Sequence, residues 1–138
     1  MSLGELLVID YTTDLEGVEP KHLDGFFVGW PKPPSPDRHL ELLRGSSHVV
    51  LAKAGDRVVG FITAISDGVL SAYIPLLEVL PEYQGRAIGT ELVRRLLAKL
   101  ADLYMVDLSC DENVVPFYER LGLERWDAAM GIRNRDVL

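Results

Sequence analysis

At 138 residues with 48% hydrophobic side chains, the chain is long enough to bury a real core but has no length for a second one, so residues 1–138 are read as a single domain. A formal net charge of −7 argues against general binding to nucleic acid or to an anionic membrane, since either needs a basic surface to neutralise phosphates; a cationic, amine-bearing partner fits better. Cys110 is the single cysteine, and His22, His39 and His48 share no spacing that sets two ligands on one face, so neither an intramolecular disulfide nor a metal site is expected.

In chain order, Leu6 to Tyr11 reads as a first strand, and Pro20 to Val28 as a short helix in a region rich in aromatics: Phe26, Phe27 and Trp30. The stretch Pro31 to Pro36 cannot continue a helix. It forms an extended connector, and Ser35 as N-cap with Pro36 at the first helical position starts a second helix ending near Gly45. His48 to Ala54 and Arg57 to Ser66 form a hairpin around Gly55-Asp56. Asp67-Gly68 then turns the chain into a strand carrying Glu78, so three consecutive antiparallel strands are expected. From Ile88 the apolar residues Leu92, Val93, Leu96, Leu97 and Leu100 make a helical stripe, with Glu91, Arg94, Arg95 and Lys99 on the other side. A strand from Tyr104 to Cys110, a helix from Val114 to Leu121 stopped by Gly122, and strand material from Glu124 to Arg133 complete the reading. Cys110 is expected to be a small buried hydrophobe, with a nucleophilic thiol served by a nearby base as the alternative. With no basic-then-apolar leader and no apolar run approaching about 18 residues, a soluble, cytoplasmic protein is expected.

The segment from Leu77 to Gly89 carries the most chemistry. An apolar strand ends there in a glycine-bearing loop that opens into the amphipathic helix. The first amides of a helix lack intrahelical acceptors, and the helix dipole is positive at that end, so phosphate oxygens supply the missing partners. Gly85 and Gly89 remove Cβ atoms where a ligand approaches, and Arg86 adds a guanidinium. The same turn also serves as plain strand-to-helix punctuation. No Gly-Lys-Ser/Thr follows it, which disfavours a P-loop nucleotide hydrolase.

Gln84-Gly85-Arg86-Ala87-Ile88-Gly89 resembles the acyl-CoA binding motif of the GNAT superfamily of N-acetyltransferases, and Pro116-Phe117-Tyr118-Glu119-Arg120-Leu121-Gly122-Leu123 resembles that family's second hallmark. The chain departs from the pattern at Ala87, where the family usually has Gly; alanine keeps its amide and suits a helix's first turn. The resemblance spans about Leu6 to Arg133. It implies an α+β fold with a mixed, mainly antiparallel central sheet, helices on both faces and splayed central strands. It also implies acetyl-CoA as co-substrate, with Leu77, Val79, Gln84, Gly85, Arg86, Ala87, Ile88, Gly89, Thr90 and Asn113 as its binding residues, and a possible homodimer through the C-terminal strand. Asn113 is equally explained as a turn or cap residue.

An alkylammonium with a pKa of about 10.4 is neutral only about once in a few thousand molecules near pH 7, so acetyl transfer needs a proton acceptor. Glu78, inside an apolar strand beside the implied acetyl site, is the candidate base, directly or through water; a solvent-facing strand glutamate is the plain alternative. Tyr118 resembles the family's tyrosine that protonates the leaving thiolate. A phenol near 10 giving its proton to a thiol near 8.5 is uphill by roughly 2 kcal/mol, and a packed tyrosine is the other reading. The amide of Val79 is expected to polarise the thioester carbonyl. Phe26, Phe27 and Trp30 either line an apolar acceptor pocket or simply cover the sheet. The expected activity is acetyl transfer to a primary amine of a small molecule in a ternary complex. Transfer to a peptide or protein amine, and a non-catalytic acyl-CoA sensor, are the alternatives.

Overall fold

The computed structural model describes residues 8–126 and 128–137. Six strands make one sheet: β1 (Asp10–Thr12), β2 (His48–Ala54), β3 (Arg57–Ser66), β4 (Ser71–Tyr73), β5 (Leu77–Val79) and β6 (Met105–Asp107). The order is β1-β2-β3-β4-β6, with β5 also paired to β3. Every pairing is antiparallel except β4 with β6, which is parallel because α2 (Ile88–Lys99) carries the chain across between β5 and β6. α1 (Pro36–Gly45) and α3 (Val115–Glu119) complete the regular elements. The architecture is the expected α+β sheet.

β3 is the centre of the core, with Val58, Val59, Phe61, Ile62 and Ala64 at zero exposure, so both its faces must be covered. Gly60 marks one face: a Cβ there would stand 3.2 Å from Leu92 and 3.3 Å from Ile88 of α2. Phe61, one residue on, points the other way and meets the His39 ring of α1 at 4.4 Å. α2 buries Ile88, Leu92, Val93 and Leu96 on the first face, while α1 brings His39, Leu40 and Leu43 to the second.

Several boundaries follow local chemistry. Ser35 accepts the Arg38 N–H and Pro36 opens α1, as the sequence predicts. The β2–β3 hairpin turns on Gly55 at φ +64°. The third predicted strand is divided. β4 and β5 both pair with β3, but Ile74, Pro75 and Leu76 stand opposite only Thr63 and Ala64, a bulge at the proline that cannot donate to a ladder.

Five expectations are corrected. The first strand is Asp10–Thr12 rather than Leu6 to Tyr11, with residues 1–7 outside the described part. The helix expected from Pro20 to Val28 is only a 3-10 turn, Pro20–Leu23, because Asp24 is extended and Gly25, Phe27 and Gly29 all take positive φ, which no right-handed helix contains. The strand expected from Tyr104 to Cys110 is confined to Met105–Asp107, where β4 supplies a partner. The stretch from Glu124 to Arg133 holds no strand among its described residues. Trp126, Met130 and Ile132 are 74%, 97% and 92% exposed there, so no buried face selects an extended ladder. The helix expected from Val114 to Leu121 is the shorter α3. It ends in a left-handed Gly122, with Leu123 N–H donating to Tyr118 O and Gly122 N–H to Glu119 O, a Schellman closure.

Candidate active site

The loop that opens α2 is built by the backbone. After β5, Pro81–Tyr83 makes one 3-10 turn, Gln84 Nε2 donates back to Val79 O at 3.0 Å, and Gly85 reverses the chain at φ +80°. The Gln84 side chain therefore closes the loop onto its own strand. Arg86 stands over the Tyr83 ring at 5.2 Å and donates to Glu82 O at 3.4 Å, at the exposed tip of the loop. Ala87 caps α2 without a side-chain hydrogen bond, and the first intrahelical bond is Glu91 N–H to Ala87 O at 3.1 Å. The N–H groups of Ile88, Gly89 and Thr90 consequently have no acceptor within the helix, the condition a diphosphate meets. Gly89 has a further reason to be glycine: a Cβ would touch the Phe117 ring at 3.6 Å and Val79 at 3.9 Å. The expectation for Ala87 is corrected: it is the cap, at φ +62°, not a residue of the first turn, and in this left-handed conformation a Cβ is a liability that glycine avoids.

β5 presents its edge to the same space. Leu80 N–H donates to Val59 O and Thr63 N–H to Leu76 O, so Phe61 and Glu78 form the hydrogen-bonded pair between them. By alternation, the N–H and C=O groups of Leu77 and Val79 point away from β3. β6 is paired only to β4, so no strand fills that side of β5 among the described residues. This is the splay the sequence implies. It opens a cleft of about 630 Å³ lined by Leu77, Glu78, Val79, Gln84, Gly85, Ala87, Ile88, Gly89 and Thr90 on one side, and by Ser109, Cys110, Asp111, Phe117 and Tyr118 on the other.

Tyr118 is half-buried in the cleft with its ring 4.9 Å from Phe117. Burial first, and then the neighbouring Cys110, push its phenol up to about 12. The phenol thus stays a proton donor at any ordinary pH but is a weaker acid than expected: full transfer to a thiol near 8.5 would be uphill by about 5 kcal/mol rather than 2. What a phenol of this acidity can offer is a hydrogen bond rather than a full proton transfer. Cys110 is exposed, contrary to the buried role expected, because β6 ends at Asp107 and the chain runs on along the cleft. Asn113 lies exposed in the 3-10 turn Glu112–Val114, caps neither that turn nor α3, and is absent from the cleft lining. Sequence reasoning missed Ser109 and Asp111; the signal was that a parallel strand ends at the same edge of the sheet as its partner β4, next to the splay.

On the opposite face, Glu78 Oε1 accepts the Phe27 N–H at 2.9 Å and Oε2 accepts the Val28 N–H at 3.3 Å. The residue lines the cleft but is not simply solvent-facing. Each carboxylate oxygen keeps a second lone pair. Phe26 and Phe27 are buried, packed edge-on against the His39 ring at 5.2 and 4.9 Å, so these aromatics cover the sheet; Trp30, 42% exposed, packs on Phe27 at 5.1 Å. A second cavity of about 250 Å³ lies under them, lined by Phe26, Phe27, Pro33, Pro36 and His39 among others. None of the three aromatics lines the larger cleft. His39 is 1% exposed, neither ring nitrogen finds a partner, and burial lowers its pKa to about 4, so it is a neutral core imidazole. No cluster of His, Cys, Asp and Glu able to hold a metal occurs among the described residues, and no helix among them is long and apolar enough to cross a membrane.

Comparison with known proteins agrees with this geometry. The model of the acetyltransferase (GNAT) family matches residues 15–123. The crystal structure of an acetyltransferase candidate from Deinococcus radiodurans R1 superposes with a TM-score of 0.90 at 51% identity, covering 99% of this chain and 93% of that one. A GNAT family acetyltransferase from Streptococcus pneumoniae TIGR4 gives 0.75 at 31% identity, covering 93% and 99%. Among curated relatives, GCN5-related N-acetyltransferase 2, chloroplastic, of Arabidopsis thaliana is 31% identical over 132 residues, 80% of this chain and 49% of its own length. The uncharacterized N-acetyltransferase ycf52 of Porphyra purpurea is 31% identical over 100 residues, 69% of this chain and 58% of its own. The chain thus spans about half the length of the curated relatives it matches. With a family match over most of its length and a splayed-strand cleft at the matching motif, the chain belongs to the GNAT acetyltransferase family.

Proposed function

We propose that this protein is an acetyl-CoA-dependent N-acetyltransferase that acts on a primary amine of a small molecule by direct transfer in a ternary complex. One observation carries the reading. The acceptor-free amides of Ile88, Gly89 and Thr90, the outward edge of Leu77 and Val79, and the phenol of Tyr118 all border one cleft. The first set holds the diphosphate of the co-substrate, and the strand edge holds its amide-bearing arm in the manner of an added strand. The Val79 N–H donates to the thioester carbonyl, a fixed dipole that needs no reorganisation as charge develops. Tyr118 donates a hydrogen bond to the departing sulfur. Glu78 draws the ammonium toward the cleft and takes its proton through a lone pair not used by the loop amides.

A cationic amine is supported by this carboxylate and by the net charge of −7. The exposed Trp126, Met130 and Ile132 support a homodimer, which light scattering on the purified protein checks. The function is tested by calorimetry with CoA and by thiol release from acetyl-CoA across a panel of small amines and peptides. Binding together with turnover on a small amine is expected. Turnover only on peptides assigns the peptide reading, binding without any turnover assigns the sensor reading, and no binding refutes the assignment of the cleft.

A further inference from the structure

The loop between the first 3-10 turn and the proline connector is costly to hold. Gly25, Phe27 and Gly29 lie at φ +94°, +63° and +83°, and Phe27 pays the steric penalty of an L side chain in the left-handed region. Within the loop, Trp30 N–H reaches Phe27 O at 3.2 Å. The other fixed point comes from 51 residues away: the Glu78 carboxylate, one oxygen on the Phe27 N–H and the other on the Val28 N–H. These are charge-assisted bonds from two successive amides to one carboxylate, stronger than neutral ones.

Glu78 is also the middle residue of β5. Its neighbours Leu77 and Val79 turn their main-chain groups into the cleft, while its side chain crosses to the loop, so one three-residue strand sets both the acetyl site and the loop. Phe27 continues the connection: its amide meets Glu78, and its ring sits in the aromatic cluster with His39 and Phe61 at 4.9 and 6.1 Å. We propose that Glu78 is a positioning residue, the latch that ties the loop Gly25–Trp30, itself outside the cleft lining, to the middle of β5, and that this tie sets where the carboxylate stands on the acceptor side of the cleft. Proton acceptance through its unused lone pairs is a separate role. The consequence for the acceptor rests on the transferase reading; the latch itself does not.

The test begins without substrate. Amide hydrogen exchange of Phe27 and Val28 is measured in the free protein and in Glu78→Ala and Glu78→Gln, with Trp126→Phe as background so that Trp30 alone reports fluorescence. Loss of the latch should accelerate exchange at Phe27 about tenfold or more in Glu78→Ala and shift Trp30 emission to the red, with an intermediate effect in Glu78→Gln, whose one carbonyl oxygen replaces one of two acceptors. CoA binding by calorimetry should stay within about twofold, showing that the coenzyme half of the cleft is intact. Unchanged exchange at both amides and unchanged Trp30 emission in both variants would overturn the latch, whatever happens to activity. With an active amine from the panel, the latch further predicts a raised KM for that amine in Glu78→Gln. A fall in kcat alone with normal exchange would leave Glu78 only a base and refute the proposal. If no amine is turned over, the exchange data still decide the latch while the transferase reading fails by itself.

Discussion

Replacing His39 with leucine should remove the part of the protein's acid destabilisation that lies between pH 6.5 and about 4. The imidazole has no hydrogen-bond partner and is enclosed by the rings of Phe26, Phe27 and Phe61 at 5.2, 4.9 and 4.4 Å, so a charge there would be stranded. Its pKa falls from 6.5 to about 4 on folding. The unfolded chain therefore binds the proton first, and stability is complete above pH 6.5 and falls as the pH drops toward 4. The slope approaches about 1.4 kcal/mol per pH unit, which accumulates to about 2 kcal/mol at pH 5 and about 3 kcal/mol at pH 4. Depressed carboxylates such as Asp67, Glu91 and Glu112 add acid sensitivity of the same sign, but they are common to both proteins and cancel in the difference. The assay is urea unfolding of wild type and His39→Leu from pH 7.5 to 4.5 with linear extrapolation, the wild-type curve bending down below pH 6.5 relative to the variant. At pH 7.5 the variant should be as stable or more so by about 1 kcal/mol, because two orphaned nitrogens are replaced by carbon in an apolar shell. Parallel curves for the two proteins, or an NMR titration of His39 near 6.5, would refute the reasoning.

Three other expectations are independent of this one. Ala87→Gly should stabilise the fold by roughly 0.5–1 kcal/mol, the relief of a left-handed alanine exceeding the extra chain entropy of glycine; a lower melting temperature would contradict the backbone assigned to the loop. Gly60→Val should destabilise by about 2 kcal/mol or more, since even a Cβ approaches Leu92 at 3.2 Å and Glu78 O at 3.4 Å; denaturant midpoints decide it. Tyr118→Phe should lower kcat about a hundredfold with CoA affinity within about twofold. Its high phenol pKa means that Tyr118 adds no basic limb to the wild-type rate profile below about pH 10.

The hairpin from His48 to Ser66, the capped α1 and the amphipathic α2 were legible because each is specified by local chemistry: two apolar runs flanking the Gly55-Asp56 turn, Ser35 with Pro36, and the stripe from Ile88 to Leu96. The region from Pro20 to Trp30 was not, since its aromatic pattern is as compatible with a helix as with a loop. What decides is a carboxylate from β5, 51 residues later, bonding main-chain amides that a helix would have used internally. The exposure of Cys110 and the place of Asn113 off the cleft lining were not legible for a related reason. Whether a residue after a short strand faces the cleft depends on where the ladder stops, and β6 stops at Asp107 with its last β4 partner, Tyr73.

The sequence by itself determined the elements whose periodicity and caps lie within a few residues, and it placed the acceptor-free amides at the start of α2, because such a helix start is a property of the local backbone. Only the tertiary structure decided the opening of β5 against β6, the inward Tyr118 and the grip of Glu78 on Phe27 and Val28. Each of these is a relation between segments far apart in the chain, fixed by register and packing rather than by neighbouring residues.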